Sequence, residues 1–283
     1  MPDRLSNLLA RFSVAAHVDR TGALHEPATF SADQDTGRLH LLRSGSAQAL
    51  HPGWTPLKLS RPSLLFYPRP FAHRLQPEAG AGVDVVSAEI RFDGGSVSPL
   101  AAALPPVLVL PLEALTEARA TMEQLCDEAD AARCGRRIAL DRLCDLLLLQ
   151  VLRHVIDRSL ASSGMLAGLA DARLSKALIA LHDKPGRDWH LEDLAARAGM
   201  SRARFAARFK QVVGIAPGEY LTRWRISLAQ HLLQQGRPVK EVAGEVGYAS
   251  PAALGRVFAT RTGATPKAWA HTRTLAVAAS AEA

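Results

Sequence analysis

Leu194-Ala195, Gly199-Met200-Ser201, Phe205, Phe209, Gly214, Pro217 and Tyr220 form a pattern that the chain states again. The second statement reads Val242-Ala243, Gly247-Tyr248, Ser250, Leu254, Phe258, Gly263, Pro266 and Trp269. Ala195 and Gly199 recur 48 residues on; from Ser201 to Tyr220 the offset is 49, so the second copy carries one extra residue in its turn. Each copy reads as a helix, a glycine-bearing turn and a second helix that a serine can cap. The glycine tolerates the positive φ of a tight turn, the alanine lets the two helices approach closely, and the aromatics fill the space between them. Two such patterns in register over ten positions define a pair of helix-turn-helices.

Between the copies, Pro217 opens a helix where its missing N–H costs nothing. Leu221, Trp224, Leu228 and Leu232 follow at helical spacing, and Gly236 and Pro238 end it. A helix of about 19 residues is roughly 28 Å long. Such a strut holds two recognition helices at a separation suited to successive major-groove segments, about 34 Å apart on one face of DNA. The charge agrees. Residues 173–275 carry 17 Lys and Arg against seven Asp and Glu, a net of +10, whereas residues 1–172 carry 17 against 19, a net of −2. A basic segment joined to a near-neutral one is the pattern of a nucleic-acid reader joined to a sensor or oligomerisation domain.

Gly199-Met200-Ser201 with Phe205 and Phe209, Gly214-x-x-Pro217, Arg223-x-Arg225, Gly247-Tyr248 with Phe258, and Gly263-x-x-Pro266 resemble the AraC/XylS family of bacterial transcription regulators over about residues 173–272. The resemblance implies a DNA-binding domain of seven helices with two helix-turn-helices, fused to a sensing domain and working as an activator more often than as a repressor. It also implies base readers at Ala203, Ala206 and Ala207 in the first recognition helix and at Arg256 in the second. Three alanines depart from side-chain-rich readout, although alanine still touches a thymine methyl and lets a helix lie deep. Arg202, Arg204, Arg208 and Lys210 are placed to hold phosphates. Ser250 and Ala252 complete the candidate DNA-binding set, and Arg256, able to bind guanine in bidentate fashion, is its strongest base reader. Double-stranded promoter DNA and RNA polymerase are the expected partners.

The 283 residues suffice for two ordinary domains, and 48% hydrophobic with 22% charged residues describes a soluble globular chain. No run of about 18 apolar residues is present, so no membrane span is expected. The start, Met1-Pro2-Asp3-Arg4, does not read as a signal peptide, and a cytoplasmic location follows. Cys126, Cys134 and Cys144 show neither CxxC nor zinc-finger spacing. They are expected to be reduced, with two of them packed and a redox role open.

Before residue 173 the pattern changes. Residues 1–12 read as a short amphipathic helix, with Leu5, Leu8, Leu9 and Phe12 on one face. Arg38–Leu42, Ala47–Leu50, Leu57–Leu59, Ser63–Tyr67, His73–Leu75 and Val85–Phe92 read as strands between Pro- and Gly-rich turns. Leu39-His40-Leu41-Leu42-x-x-Gly45, Ser63-Leu64-Leu65-Phe66-Tyr67-Pro68 and Ala72-His73-Arg74-Leu75 resemble the cupin-like sensing domain of one AraC subgroup. The expected fold is thus α+β. Residues 1–110 form a small cupin-like β-barrel; 111–160 a helical pair, Leu112–Ala132 and Ile138–Leu160, whose second member is apolar almost all round and is expected to make a homodimer. Residues 161–172 form a Gly/Ser-rich linker, 173–275 the double helix-turn-helix domain, and 276–283 a disordered tail.

His40 and His73 occupy strands that the cupin resemblance brings together. His25 falls where relatives of that subgroup tend to have cysteine. Three neutral imidazoles with an open fourth position suit zinc or another divalent metal, so His25, His40 and His73 are the candidate metal ligands; the alternative is that one or two are core histidines. His17 and His51 are expected at the surface. The function implied is a sequence-specific transcription regulator, controlled by a small-molecule, metal or redox signal in the barrel. The alternative is a cupin-type metalloenzyme, against which the N-terminal half lacks a close His-x-His plus Glu set and any nucleophile motif.

Overall fold

The computed structural model describes residues 3–32, 35–78, 80, 82–95 and 98–271; the expected tail at 276–283 lies outside them. The chain divides into two compact units. One comprises Ser13–Ser96 and Leu100–Ala161; the other comprises Met1–Phe12, Val97–Pro99 and Ser162–Ala283.

A short helix, α1 (Ser6–Arg11), opens the chain. Among the described residues the first unit then builds nine strands: β1 (Val14–Leu24), β2 (Ala28–Phe30), β3 (Gly37–Ser44), β4 (Ala47–Leu50), β5 (Leu57–Leu59), β6 (Ser63–Tyr67), β7 (His73–Pro77), β8 (Val83–Phe92) and β9 (Leu108–Pro111). They form an antiparallel sheet of order β1-β8-β3-β6-β9 and a second of order β2-β7-β4-β5. The two sheets close on a core that includes Leu42, Leu65, Tyr67, Leu75, Val83 and Val85. In β6 all five residues are buried, because one face meets this core and the other is covered as well. The six expected strands are present. β1, β2 and β9 were not anticipated, and β1 is broken by a register shift between Val18 and Arg20 that interrupts its alternation.

After α2 (Pro99–Ala103) and β9, two 3-10 turns at Leu112–Ala114 and Thr116–Ala118 lead into α3 (Arg119–Asp130). Gly135 separates it from α4 (Arg136–Asp157). Edge strands leave unpaired N–H groups that need cover. On β1 two of these groups are met by carboxylates one turn apart on α4: Ala16 N–H donates to Asp145 Oδ1 and Val18 N–H to Asp141 Oδ1, each at 2.7 Å. Leu140, Cys144, Leu147, Leu148, Val151, Leu152, Val155 and Ile156 bury the apolar side of α4 within its own unit. Of its large apolar residues, Ile138 and Leu146 stay exposed, at 65% and 41%.

The second unit contains α5 (Met165–Ala170), α6 (Leu174–Asp183), α7 (Leu191–Arg197), α8 (Arg202–Val213), α9 (Pro217–Gln234), α10 (Val239–Glu245), α11 (Pro251–Thr262) and a helical stretch over 266–271. The boundary between the units falls at the start of the linker expected over 161–172, and half of that stretch is α5. Met165, Leu166 and Leu169 are buried, and Gly168 lies so close to Leu178 and Val213 that a Cβ there would meet them at 2.5 and 3.0 Å. Small residues marked close packing here, not flexibility.

Residues 1–12 are also reassigned: α1 belongs to the second unit and not to the barrel. Phe12, 1% exposed, packs its ring 5.3 Å from Trp224 and 5.3 Å from His231, both on α9. Arg4 donates to the Leu169 carbonyl at 3.1 Å and Arg11 to the Asp183 carbonyl at 3.1 Å. Beneath, the His182 ring lies tilted against Trp224 at 4.1 Å and meets the Tyr220 hydroxyl at 2.6 Å. Burial brings the His182 pKa down to about 3, so this imidazole is neutral. Truncating a buried phenylalanine costs about 3–5 kcal/mol. Phe12→Ala should accordingly lower amide protection in α6 and α9 while leaving β1 unchanged, as read by hydrogen exchange; loss of protection in the strands would place α1 with the barrel instead.

Candidate nucleic-acid interface and barrel site

Both helix-turn-helices are built the same way. In the first, Gly199 takes φ +64° and Met200 N–H reaches back to the Ala195 carbonyl at 2.9 Å. In the second, Gly247 takes φ +86° and Tyr248 N–H reaches the Ala243 carbonyl at 2.8 Å. A glycine in this left-handed conformation closes the first helix of each pair with the same six-to-one bond. The serines differ: Ser250 Oγ accepts from Ala253 N–H at 3.1 Å, whereas Ser201 makes no side-chain cap bond. Phe205 and Phe209 are fully buried beneath α8, as Leu254 and Phe258 are beneath α11.

The outward surfaces follow. On α8, Ala203, Arg204, Ala207 and Lys210 are exposed and Ala206 is half-buried. Arg202 is exposed but bonds Glu192 of α7. Arg208 is exposed and reaches Asp171 at 2.9 and 3.1 Å. On α11, Ala252 and Arg256 are exposed and Ser250 is half-buried, its hydroxyl engaged in the cap. The candidate residues thus lie on the two recognition helices, each helix offering a face of small residues with basic groups beside it.

In the barrel, His40 and His73 do meet, Nε2 to Nε2 at 2.8 Å. The order of donors follows from the ends of the chain of bonds. The Phe71 carbonyl only accepts, so His73 Nδ1 donates to it at 2.7 Å. His73 Nε2 then holds a lone pair, His40 Nε2–H donates to it, and His40 Nδ1 accepts from Ser87 Oγ at 2.8 Å. Burial first, then the neighbouring His73, holds the His40 pKa far below the ordinary imidazole value; burial brings His73 down to about 4.

His25 does not join them. It is exposed, with its ring against Gly82. His40 of β3 pairs with Ser87 of β8, five residues beyond Gly82, which is about 16 Å at the strand rise. The expectation that His25 shares a site with His40 and His73 is therefore corrected. The third histidine nearby is His51, expected at the surface but only 8% exposed. Its ring lies 6.4 Å from that of His73, and its Nε2 faces the Tyr67 hydroxyl at 2.8 Å. Strand alternation could have found it, since His51 shares parity with the buried Ala47 and Ala49. Among the described residues no group of three His, Cys, Asp or Glu could hold a metal. Two converging imidazoles without a third ligand beside them do not make the expected three-imidazole site. A cavity of about 520 Å³, lined in part by Phe30, Leu50, His51, Pro52, His73 and Arg74, opens beside the pair.

Cys126 is half-buried, Cys134 exposed and Cys144 buried, all as free thiols. Burial raises the Cys126 pKa and pushes that of Cys144 up to about 12, which disfavours the reactive thiolate form at both.

Two helix-turn-helices on one helical scaffold, their recognition faces outward, define a DNA-binding protein. Comparison with known proteins gives the family. A cupin profile matches residues 3–157 and a helix-turn-helix domain profile residues 194–272. A putative AraC-like transcription regulator of Streptomyces lividans is 36% identical over 72% of this chain and 75% of its own. An uncharacterised regulator of the same helix-turn-helix type from Haemophilus influenzae is 43% identical over 46% of this chain, a match that spans only 44% of that protein. Among solved structures, the DNA-binding domain of AdpA in complex with a target DNA is 35% identical over 36% of this chain and 93% of that one, with a TM-score of 0.35. The chain belongs to the AraC family of helix-turn-helix transcription regulators with an N-terminal cupin domain. Its relatives are transcription regulators, not enzymes. Among the described residues no helix is long and apolar enough to cross a membrane.

The neutral histidine pair has a pH signature. His73 has a folded pKa near 4 against an ordinary value near 6.5, so between these limits the unfolded chain binds more protons than the folded one. The stability contributed is complete above pH 6.5 and is lost as pH falls toward 4, with a slope approaching about 1.4 kcal/mol per pH unit for each such group. Denaturant unfolding of wild type and His73→Gln should diverge in pH dependence within that window. Parallel curves from pH 4 to 7 would mean that the imidazole is not held neutral.

Proposed function

We propose that the chain binds specific promoter DNA as a homodimer and activates transcription, with RNA polymerase as its partner and a small-molecule signal received in the barrel cavity. The observation that carries the reading is the exposed pair of recognition faces, above all Arg256. It sits mid-helix on α11, exposed, among small residues that let the backbone approach bases closely. A domain of this charge binds duplex DNA with a strong salt dependence. On duplexes selected from a random library by the wild-type protein, Arg256→Ala should weaken binding by about 1–3 kcal/mol and relax preference at one base pair. An equal loss on selected and unselected duplexes would make Arg256 a phosphate contact and not a base reader.

The homodimer is assigned to the strip of α4 left uncovered by its own unit, Ile138 and Leu146 with Arg142 and Arg153 beside them. Apolar residues exposed in this way favour association. Sedimentation of the full chain should give a dimer and, for Ile138→Lys with Leu146→Lys, a monomer that keeps the wild-type far-ultraviolet circular dichroism. A wild-type monomer at high micromolar concentration would contradict the assignment.

The cavity beside His51 and His73 is the proposed entry for the signal, because a ligand there would lie against these two imidazoles, which bond the buried Tyr67 and His40 behind them. Which molecule it admits, and whether promoters are activated or repressed, are read by promoter-fusion assays on the selected DNA.

A further inference from the structure

Two recognition helices read one site only if the angle between them is held. α9 joins them, and its first turn touches the ends of both: Tyr220 stacks edge-on against Phe209 of α8 at 5.5 Å, and Glu219 pairs with Arg261 of α11 at 2.5 and 2.8 Å. The Glu219–Arg261 pair is half-exposed and screened, so it adds little rigidity. A stronger tie lies one turn further along α9, at a residue that contacts neither a carboxylate nor a recognition helix.

Arg225 is half-buried. Its Nε donates to the Pro185 carbonyl at 2.8 Å and its Nη2 to the Arg187 carbonyl at 2.9 Å. Both acceptors belong to the loop that leads into the first helix-turn-helix. On its other side the guanidinium lies 5.8 Å from the ring of Tyr248, in the turn of the second. The three pieces meet without spare room. A Cβ on Gly247 would come within 2.8 Å of both Arg225 Nη2 and the Gly186 carbonyl, and a Cβ on Gly186 within 2.6 Å of the Glu245 carbonyl at the end of α10. The loop is itself pinned: Trp189 Nε1 donates to the Lys184 carbonyl at 2.8 Å, and Arg187 and Arg197 stack on the Trp189 ring at 4.4 and 5.1 Å.

From this we infer that Arg225 is a positioning residue for two-site DNA reading: it locks the entry loop of the first helix-turn-helix to the turn of the second, and so sets the angle and spacing at which the two recognition helices meet successive major-groove segments. The inference rests on the DNA-binding reading above. The forked guanidinium is what the place demands, since two N–H groups in one plane reach two carbonyls while a face remains for the tyrosine ring. A lysine offers one point of charge and cannot span both. Arg225 is directed into the domain, so it adds nothing to the phosphate contacts that make binding salt-dependent.

The test compares wild type with Arg225→Lys and Tyr248→Leu in the full-length protein, on a duplex selected by the wild type and on duplexes with one or two base pairs inserted between its two major-groove segments. Wild type should bind the native spacing at least tenfold more tightly than the inserted ones. Arg225→Lys should lose tenfold or more on the native spacing, little on the inserted duplexes, and so most of its spacing discrimination. Tyr248→Leu should shift the same discrimination more mildly. The slope of log affinity against log salt should stay at the wild-type value, where loss of a phosphate contact would lower it by about one. Wild-type discrimination in Arg225→Lys, a uniform loss on every duplex, or a reduced salt slope would each overturn the inference. Should wild type itself fail to select any duplex, the DNA-binding reading fails first, which keeps the two outcomes distinguishable.

Discussion

One helix, α9, is buried on behalf of both DNA-reading motifs, and the second unit depends on that shared burial. Eleven of its 18 residues are buried, from Pro217 through Leu233. Such a helix cannot be stable alone; its apolar surface must be covered from more than one direction. The first helix-turn-helix supplies Phe209 against Tyr220, α6 supplies His182 against Trp224, and the N-terminal segment supplies Phe12. At 18 residues it is about 27 Å long, close to the one-turn separation of successive major-groove segments.

The barrel answers a different constraint. Its edge strand β1 would expose N–H groups to pairing with other chains, and α4 meets two of them with Asp141 and Asp145 while burying its apolar side against the same unit. This accounts for two carboxylates on a helix otherwise rich in leucine. Inside, neutral histidines replace part of an aliphatic core. They are tolerated because each donor finds an acceptor through Ser87, His40, His73 and the Phe71 carbonyl. A polar chain of this kind, next to an open cavity, is a place where a bound molecule can exchange one hydrogen bond for another.

The doubled helix-turn-helix was legible because its spacing encodes geometry that recurs in space: Gly199 and Gly247 adopt the same left-handed turn, and Phe205, Phe209, Leu254 and Phe258 the same buried positions. The candidate base-reading face was legible for the same reason. Other features depend on long-range partners that periodicity does not report. The apolar face of residues 5–12 was visible, but not that α6 and α9 would cover it. Gly and Ser over 161–168 looked flexible, although Gly168 is small because Leu178 and Val213 press on it. His25 was grouped with His40 and His73 by resemblance, and the register of β1 on β8 carries it to the far end of the sheet. Arg225 gave no local sign of its role, since its acceptors are backbone carbonyls 40 and 38 residues away.

The central claim is that two recognition helices on one rigid unit read two adjacent major-groove segments together. Methylation interference at guanine N7 on a duplex selected by the full-length protein tests it directly, because N7 lies in the major groove. The account predicts interference in two clusters on one face of the duplex, one helical turn apart. A single cluster, or interference spread evenly along the duplex, would contradict it.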